Sequence, residues 1–448
     1  MSENAKLASG GITGHLYSQT APMIVGVAAM MSIGLVDAYF IGQLGSTPLA
    51  AIAFIFPITV AISSLGVGVM VGINSVVSRA LGAGDMERAR RRASFGILFA
   101  IAIGIVFAAA LYALADPLFR LMQADPETLP LIRTYIQPFA LGLPLLLATM
   151  GVNGVMRAQG EARKTLMVSL TFAIANWILD PILITGAFGF EGFGIVGAAY
   201  ATIIGWACGV GCAFWLLGRT QLTFQPRYAA RTDPVGSTKE ILKVAAPAAF
   251  SNAINPIGLS VLTALVAIEG QAAVAGFGAA GRLQSFAVVP LLALSGSIGA
   301  IVGQNWGANK PERAREAFAK AAMFCVIYGL ATALILTLTA DYIAGFFTDE
   351  QAVRQQFVSY VYIAAWGYAG FGLLIVGNGV LNAVDRASFA LLQSTARVFL
   401  IMMPIAWLMR GSMGADAIYT AELIANIVGG ACAVLLVWWT LKAKSALH

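Results

Sequence analysis

Twelve long apolar stretches, spread evenly along 448 residues, limit most strongly how this chain can fold. Hydrophobic residues make up 59% of the sequence and charged residues only 11%, whereas soluble domains carry about 25% charged residues. About 20 consecutive apolar residues cross a bilayer as a helix, because a helix satisfies its own backbone hydrogen bonds in lipid. The sequence therefore predicts an all-α integral membrane protein. The predicted spans lie near 15–40, 49–77, 93–114, 132–156, 165–186, 194–217, 239–267, 275–302, 317–339, 354–382, 388–409 and 415–440.

Lysine and arginine are distributed unevenly between the two sides of these spans. They concentrate at the two chain ends and in the loops that follow even-numbered spans. By the positive-inside rule both termini are predicted to be cytoplasmic, and the basic clusters to contact the inner leaflet. The net charge of +6 follows from this asymmetry and does not indicate nucleic-acid binding. Of the remaining basic residues, Arg120, Arg133, Arg354 and Arg410 fall on the other side, and only Arg282 is assigned to the interior of a span.

The chain contains an internal repeat. SRALGAGDMERAR (78–90) and GQNWGANKPERAR (303–315) align without a gap at an offset of 225 residues, and the same offset aligns Pro22 with Pro247. Because each half then holds an even number of spans, both insert in the same direction and are related by a pseudo-twofold axis along the membrane normal. The predicted domains are an N-terminal six-helix lobe at 1–220, a cytoplasmic linker at 221–238 and a C-terminal six-helix lobe at 239–448.

The fifth span holds an unusual polar group. The segment ANWILDPILI places Asn176 and Asp180 four residues apart, with Pro181 directly after them. Residues at i and i+4 share a helix face, and proline removes one backbone donor. The segment therefore predicts a broken helix that offers a carboxylate, an amide and a free carbonyl together, as transporter ion sites do. At the repeat offset the second half has Ile401 and Ile405 in the places of Asn176 and Asp180.

Helical rise brings further polar residues to the same depth. Asp37 lies near the outer end of the first span, and Thr202 lies in the sixth span at a depth similar to that of Asp180. This convergence predicts a site in the outer half of the N-terminal lobe for H⁺ shared between the two carboxylates. Na⁺ is the alternative ion, with Asp37, Asn176 and Asp180 as metal ligands. The acids could instead only hydrogen-bond neighbouring helices, but ionised groups inside membranes are usually functional.

Four segments, VDAYFIGQLG, GAGDMERAR, ANWILD and GQNWGA, resemble the MATE (multidrug and toxic compound extrusion) family, and the resemblance covers the whole chain. An Asp at the end of span 1 together with N-x-x-x-D in span 5 is similar to the DinF-like branch. The NorM-like branch places a key acid in span 7, and in this chain the stretch 246–262 of that span has none. The resemblance implies a V-shaped pair of six-helix bundles in the bacterial inner membrane. It also implies cation-coupled export of amphipathic, often cationic compounds by a monomer that needs the lipid bilayer but no cofactor.

The resemblance also assigns roles to individual residues. Asp37, Asn176 and Asp180 take the places of the family's N-lobe cation site, Thr202 that of its hydroxyl, and Tyr135 is a further member. Pro22 takes the place of the span 1 hinge; a passive kink shared with Pro247 is the alternative. Methionine thioethers and aromatic rings adapt to varied ligands, although ordinary helix packing would explain them too. The predicted substrate-binding residues are Asp37, Met30, Met31, Met70, Phe54 and Phe56.

Arg282 and Glu422 raise a separate question in the C-terminal lobe. Each lies about seven residues into its span, roughly 10 Å deep by helical rise. Because an isolated charge at this depth is unfavourable, we predict an ion pair between them, direct or through one polar group. The alternative is that Arg282 faces the cleft between the lobes and senses the charge of Asp37.

Other functions fit the sequence less well. A lipid-linked oligosaccharide flippase shares the two-bundle plan but is expected to carry more cationic residues along its cavity. An intramembrane enzyme would need Asp-rich Mg²⁺ motifs for prenyl transfer, or paired Y-D and G-x-G-D motifs for proteolysis; neither occurs in the sequence. Nothing in the sequence suggests the filter residues of a channel. The protein is therefore predicted not to be an enzyme.

Overall fold

The computed structural model describes residues 5–187, 189 and 191–445. Eleven of its helices are long and apolar enough to cross a membrane, and a pair of helices with a 42° bend between them forms a twelfth span. The predicted all-α fold with twelve spans is confirmed. We number the spans α1 Ile12–Gly42, α2 Ser46–Gly82, α3 Met86–Leu121, α4 Leu129–Ala158, α5 Ala162–Thr185, α6 Ile195–Leu217, α7 Pro234–Ala267, α8 Gln271–Ala287 with Val289–Gly307, α9 Pro311–Phe347, α10 Gln351–Ala383, α11 Ala387–Met413 and α12 Ala415–Ser445.

Loops at corresponding positions of the sequence repeat have similar backbone conformations. The α1–α2 loop contains Gly45 with φ 114°, and Gly270 at the repeat offset has φ 113°. The α2–α3 loop contains Gly84 with φ 76°, and its counterpart Asn309 has φ 57°. Glycine and asparagine are the residues that adopt positive φ most readily. The same tight turns therefore connect corresponding spans in both halves of the chain.

The described chain forms two compact units. Unit 1 contains the residues up to Lys6 together with Ala21–Ala249, and unit 2 contains Leu7–Thr20 together with the chain from Phe250 onward. In unit 1, α4 packs against α2, α3 and α6, and in unit 2, α10 packs against α8, α9 and α12. The units differ from the predicted lobes in two segments, Leu7–Thr20 and the part of the chain from 221 to 249.

The first of these segments belongs to unit 2 because its polar groups bond there. The Leu7 amide donates to the Oε1 of Gln304 at 2.9 Å, and the Asn305 Nδ2 donates to the Leu7 carbonyl at 3.0 Å. The hydroxyls of Thr20 and Ser297 are 2.7 Å apart. The division between the units passes through α1 between Thr20 and Ala21, so that Pro22 lies just beyond it.

The second segment belongs to unit 1 because α7 begins there. Its Glu240 carboxylate pairs with Arg88 at 3.1 Å and with Arg92 at 3.0 Å, both at the start of α3. A side chain on Gly72 of α2 would lie 2.8 Å from the Cβ of Ala245, closer than packed atoms approach. The glycine therefore allows close contact between α2 and α7, as small residues do between membrane helices.

Candidate cation-coupling site

The end of α5 positions the main carboxylate. The α-helix runs from Ala162 to Asp180 and continues without a break as a π turn, Pro181–Thr185. The predicted break at Pro181 is therefore wrong: the helix widens instead, because a wider turn accommodates a residue that lacks a backbone donor. The hydroxyl of Thr185 donates to the Pro181 carbonyl at 2.9 Å within this turn. Such π segments inside helices are frequent at functional sites.

Asp180 and Asp37 form a facing pair. Asp180 is fully buried, Asp37 is half-buried, and their carboxyl groups lie within hydrogen-bonding distance of each other. Neither oxygen of Asp180 receives a hydrogen bond from a described residue, and neither does the buried Oδ1 of Asp37. Two ionised carboxylates repel each other and neither can donate. A proton or a cation between the two carboxyl groups satisfies the pair.

Asn176 lies one turn before Asp180 and is also fully buried. Its Nδ2 donates to the Phe172 carbonyl at 2.9 Å, and its Oδ1 receives no hydrogen bond from a described residue. The Nδ2 sits against Gly205 of α6, in space that a side chain at that position would occupy. Gly205 therefore keeps α6 close to α5 at the level of the amide. Nothing in the sequence singles out this glycine, which is one of 48.

Tyr135 of α4 lies within electrostatic range of both carboxyl groups and is 7% exposed. Its ring stacks on Phe139 with centroids 5.6 Å apart, and Phe139 packs on Trp206 at 5.2 Å. These rings form an aromatic wall that reaches the acid pair through Tyr135. Sequence reasoning identified Tyr135 but missed the wall, because aromatic residues in membrane spans are common and their packing partners are set by helix rotation.

The structure brings together Asp37, Asp180 and Tyr135, with Asn176 on the same face of α5 as Asp180. Thr202 is 8% exposed and lies one turn before Gly205, which Asn176 contacts. Within the described residues, no group of three or more His, Cys, Asp or Glu side chains could hold a metal ion. The oxygens without donors on two acids and an amide instead fit a proton or a small monovalent cation.

Two of the predicted substrate residues line a cavity elsewhere in unit 1. The cavity has a volume of about 390 Å³ and lies among α1, α2, α4 and α5. Met30 and Met31 line it, and so does Arg157, which directly follows the predicted fourth span, 132–156. The structure places Arg157 in the last turn of α4. The other predicted substrate residues do not line this cavity: Met70 is buried, Phe54 is half-buried and Phe56 is exposed.

Unit 2 contains a different buried charged group. The Glu422 carboxylate of α12 accepts a hydrogen bond from the Gln284 Nε2 at 2.6 Å and one from the Tyr360 hydroxyl at 3.1 Å. Arg282 is exposed and does not pair with it, so the predicted Arg282–Glu422 ion pair is wrong. Gln284 is two residues further along α8, and the rotation of the helix presents its amide, not the guanidinium, to Glu422.

The cation close to Glu422 is Arg397 of α11, which lies within electrostatic range of the carboxylate. Its Nε donates to the Asn426 Oδ1 and one terminal nitrogen donates to the Asn255 Oδ1, both at 2.9 Å. Arg397 is only 6% exposed and lies in a π turn, Ala396–Met402. The expectation that Arg282 alone lies inside a span is therefore wrong. The signal was present, since Arg397 falls in the middle of an apolar run.

Twelve membrane spans in two helical units, with buried carboxylates that lack donors, define a polytopic membrane transporter. The chain belongs to the MATE family: the MatE sequence profile matches residues 22–182 and 247–408. Members of this family are transporters of small molecules and not enzymes. The family resemblance of the sequence is thereby confirmed, whereas its assignment to the DinF-like branch stays a prediction.

Relatives cover almost the whole chain. It is 32% identical over 435 residues to a protein of Shewanella oneidensis named FAD transporter, a match that spans 96% of this chain and 95% of the relative. It is 26% identical to the multidrug export protein MepA of Staphylococcus aureus, over 93% of this chain and 91% of MepA. The crystal structure of a mutant of the Vibrio cholerae MATE transporter VcmN superposes with a TM-score of 0.91 at 29% identity, covering 96% of this chain and 97% of VcmN.

Proposed function

We propose that this protein exports amphipathic small molecules, many of them cationic, in exchange for protons that bind between Asp37 and Asp180. The observation that carries the proposal is the facing pair of carboxyl groups whose buried oxygens receive no hydrogen bond from a described residue. A proton between them satisfies both groups and removes their mutual repulsion. Loss of that proton restores the repulsion, so protonation and the arrangement of α1 and α5 are linked.

We favour H⁺ over Na⁺ as the coupling ion because of the number of ligands. A bound cation needs several oxygens around it, and near Asp180 the described residues supply two carboxylates and the Asn176 amide, with Thr202 one turn from Gly205. A shared proton needs only the two acids. Na⁺ remains the second candidate because Asn176 offers an oxygen that receives no hydrogen bond.

Pro22 is proposed as the hinge of α1. It lies inside the continuous helix Ile12–Gly42, and it leaves the Ser18 carbonyl without its usual intrahelical donor. Helices bend at such positions. The division between the two units falls directly before it, between Thr20 and Ala21. A bend at Pro22 would move Asp37 relative to Asp180, which connects the protonation state of the pair to the shape of α1.

A flavin nucleotide is the second candidate substrate. The relative from Shewanella oneidensis is named FAD transporter and shares 32% identity with this chain. A flavin nucleotide combines an aromatic ring system with phosphate groups, and the cavity that contains Met30 and Met31 also contains Arg157. We place the protein in the bacterial inner membrane with both termini cytoplasmic, as a monomer whose partners are its substrates and the bilayer, without a cofactor.

The proposal is tested in proteoliposomes that enclose a pH-sensitive dye. Addition of a transported substrate should move protons in the opposite direction, and the response should be the same with and without Na⁺. A substrate-driven response that appears only with Na⁺ would assign the coupling to sodium. Transport that continues after both ion gradients are dissipated would contradict coupling at this site.

A further inference from the structure

The cavity in unit 1 combines an apolar lining with a single charge. Met23, Met30 and Met31 of α1 supply flexible apolar surface, and Ser63 and Ser169 add hydroxyl groups. None of the described residues that line it is acidic. Its volume of about 390 Å³ is within the range of small-molecule sites. Among the described residues on its wall, only Arg157 is charged.

Arg157 has no counterion in the described chain. Its Nε is buried and donates to no described acceptor. The nearest acid along the chain is Glu161, one turn further on, but its carboxylate is bound to Lys6 at 2.6 Å and to Lys164 at 3.3 Å. Burial alone would raise the pKa of Glu161, yet these two lysines hold it below its ordinary value. Glu161 is therefore already neutralised, and the charge of Arg157 is left facing the cavity.

We propose that this cavity is a binding site for an amphipathic anion, whose phosphate or carboxylate pairs with Arg157 while its apolar or aromatic body lies on the methionines. A guanidinium whose buried Nε has no acceptor is unfavourable, and its planar donors match the oxygens of such anions. Methionine side chains adapt to rings of different shape. The inference names a substrate class for the proposed exporter and rests on that proposed function, but it concerns a site separate from the Asp37–Asp180 pair.

The test uses two ligands that differ by one phosphate, riboflavin and riboflavin 5′-phosphate. Binding to the purified full-length protein in lipid nanodiscs is followed by quenching of flavin fluorescence. Wild type should bind the phosphate ester about tenfold to a hundredfold more tightly, the effect of one charge-assisted hydrogen-bonded contact. Arg157→Gln should bind both ligands about equally, and Arg157→Lys should keep part of the preference. Arg163→Gln is the matched control, because Arg163 is exposed and does not line the cavity.

Three results would overturn the inference: equal affinities in wild type, no binding of either flavin, or an undiminished preference in Arg157→Gln. Asp180→Asn separates the two proposals, since it should lose coupled export while keeping the preference for phosphate. If Asp180→Asn transports normally but Arg157→Gln loses the preference, the coupling proposal fails and the anion site stands. Nanodiscs of phosphatidylcholine and of phosphatidylglycerol distinguish the source of the anion: a preference that disappears only in phosphatidylglycerol assigns the site to a lipid headgroup.

Discussion

Each of the two units buries charge, but the charges are balanced differently. In unit 1, Asp37 and Asp180 face each other, and their buried oxygens receive no hydrogen bond from a described residue. In unit 2, both oxygens of Glu422 accept hydrogen bonds, and the positive charge of Arg397 is close by. The first group lacks donors from the described residues and can be completed by an ion from outside the protein. The second contains its own cation, so it has no need to bind one.

The two units come from a repeated sequence, so their different charge balance can be traced to individual substitutions at corresponding positions. The positions of Asn176 and Asp180 are occupied in unit 2 by isoleucines, while Arg397 corresponds to Phe172 in unit 1. Both α5 and α11 widen into a π turn, but at different depths: Pro181–Thr185 follows the acid, and Ala396–Met402 contains the arginine. The two halves thus use the same local irregularity to place opposite charges. Unit 1 is suited to reversible ion binding, and unit 2 to permanent internal pairing.

The largest expected effect comes from replacing either carboxylate of the Asp37–Asp180 pair in unit 1. Asp180→Asn, and likewise Asp37→Asn, should reduce substrate-coupled proton movement in proteoliposomes to background, because an amide cannot take up and release the proton. Thermal stability should stay the same or rise, since a buried charge without a donor is removed. Expression and insertion serve as folding controls.

Glu422→Gln is the matched change in unit 2. It should leave coupled transport measurable, because the amide keeps hydrogen-bonding capacity near Gln284 and Tyr360. Wild-type transport by Asp180→Asn, or complete loss in a well-folded Glu422→Gln protein, would reverse the assignment of roles to the two units.

The second prediction concerns the removal of Arg397, the cation close to Glu422 in unit 2. Arg397→Met removes the cation near Glu422 and two hydrogen bonds to asparagines, so it should destabilise the protein by about 3–5 kcal/mol, the usual result of leaving one buried charge unpaired. The double variant Arg397→Met with Glu422→Gln should recover part of this loss. Thermal unfolding of the purified variants measures both effects. If the double variant is less stable than Arg397→Met by the full cost of Glu422→Gln, the two charges are not coupled.

The sequence predicted the acid pair of unit 1 better than the charged group around Glu422 in unit 2. Asp37, Asn176 and Asp180 could be found because charged and polar residues are rare in spans, and because the repeat showed isoleucines in two corresponding positions. The partner of Glu422 could not be found in this way. Whether Arg282 or Gln284 reaches it depends on the rotation of α8, which packing sets and the sequence does not state. The π turn at Pro181 was missed for a related reason, since proline permits a break or a widening equally.

Pro22 allows a third test of the comparison, because Pro247 lies at the same repeat position in α7. Pro22→Ala should slow transport several-fold while substrate affinity stays close to that of wild type, since it restores the backbone donor and straightens α1. Pro247→Ala should have a smaller effect, because α7 has Leu262 at the repeat position of Asp37 and so carries no ion-binding acid there. Initial rates in vesicles and equilibrium binding separate the two quantities. Equal effects of the two substitutions would favour a passive kink in both halves.

The smallest expected effect is on Glu161. It tests whether the stability lost on removing a charge depends on its depth in the membrane or on the unit to which it belongs. Glu161 belongs to unit 1 but lies in the α4–α5 loop, where Lys6 and Lys164 hold its pKa below the ordinary value despite the opposing effect of burial. Because the folded-state pKa is depressed, the pairing stabilises the protein above the unfolded pKa of about 4.3 and is lost as the pH falls through the lower folded value. Glu161→Gln should therefore cost less than about 1 kcal/mol near neutral pH, as partly exposed ion pairs do, and the difference from wild type should vanish in acid. Thermal unfolding at neutral pH and at low pH measures this, with Lys6→Met as the matched removal of the partner. If Glu161→Gln loses as much stability as Arg397→Met, or if its loss does not depend on pH, depth in the membrane does not explain why a surface ion pair contributes less stability than a buried one.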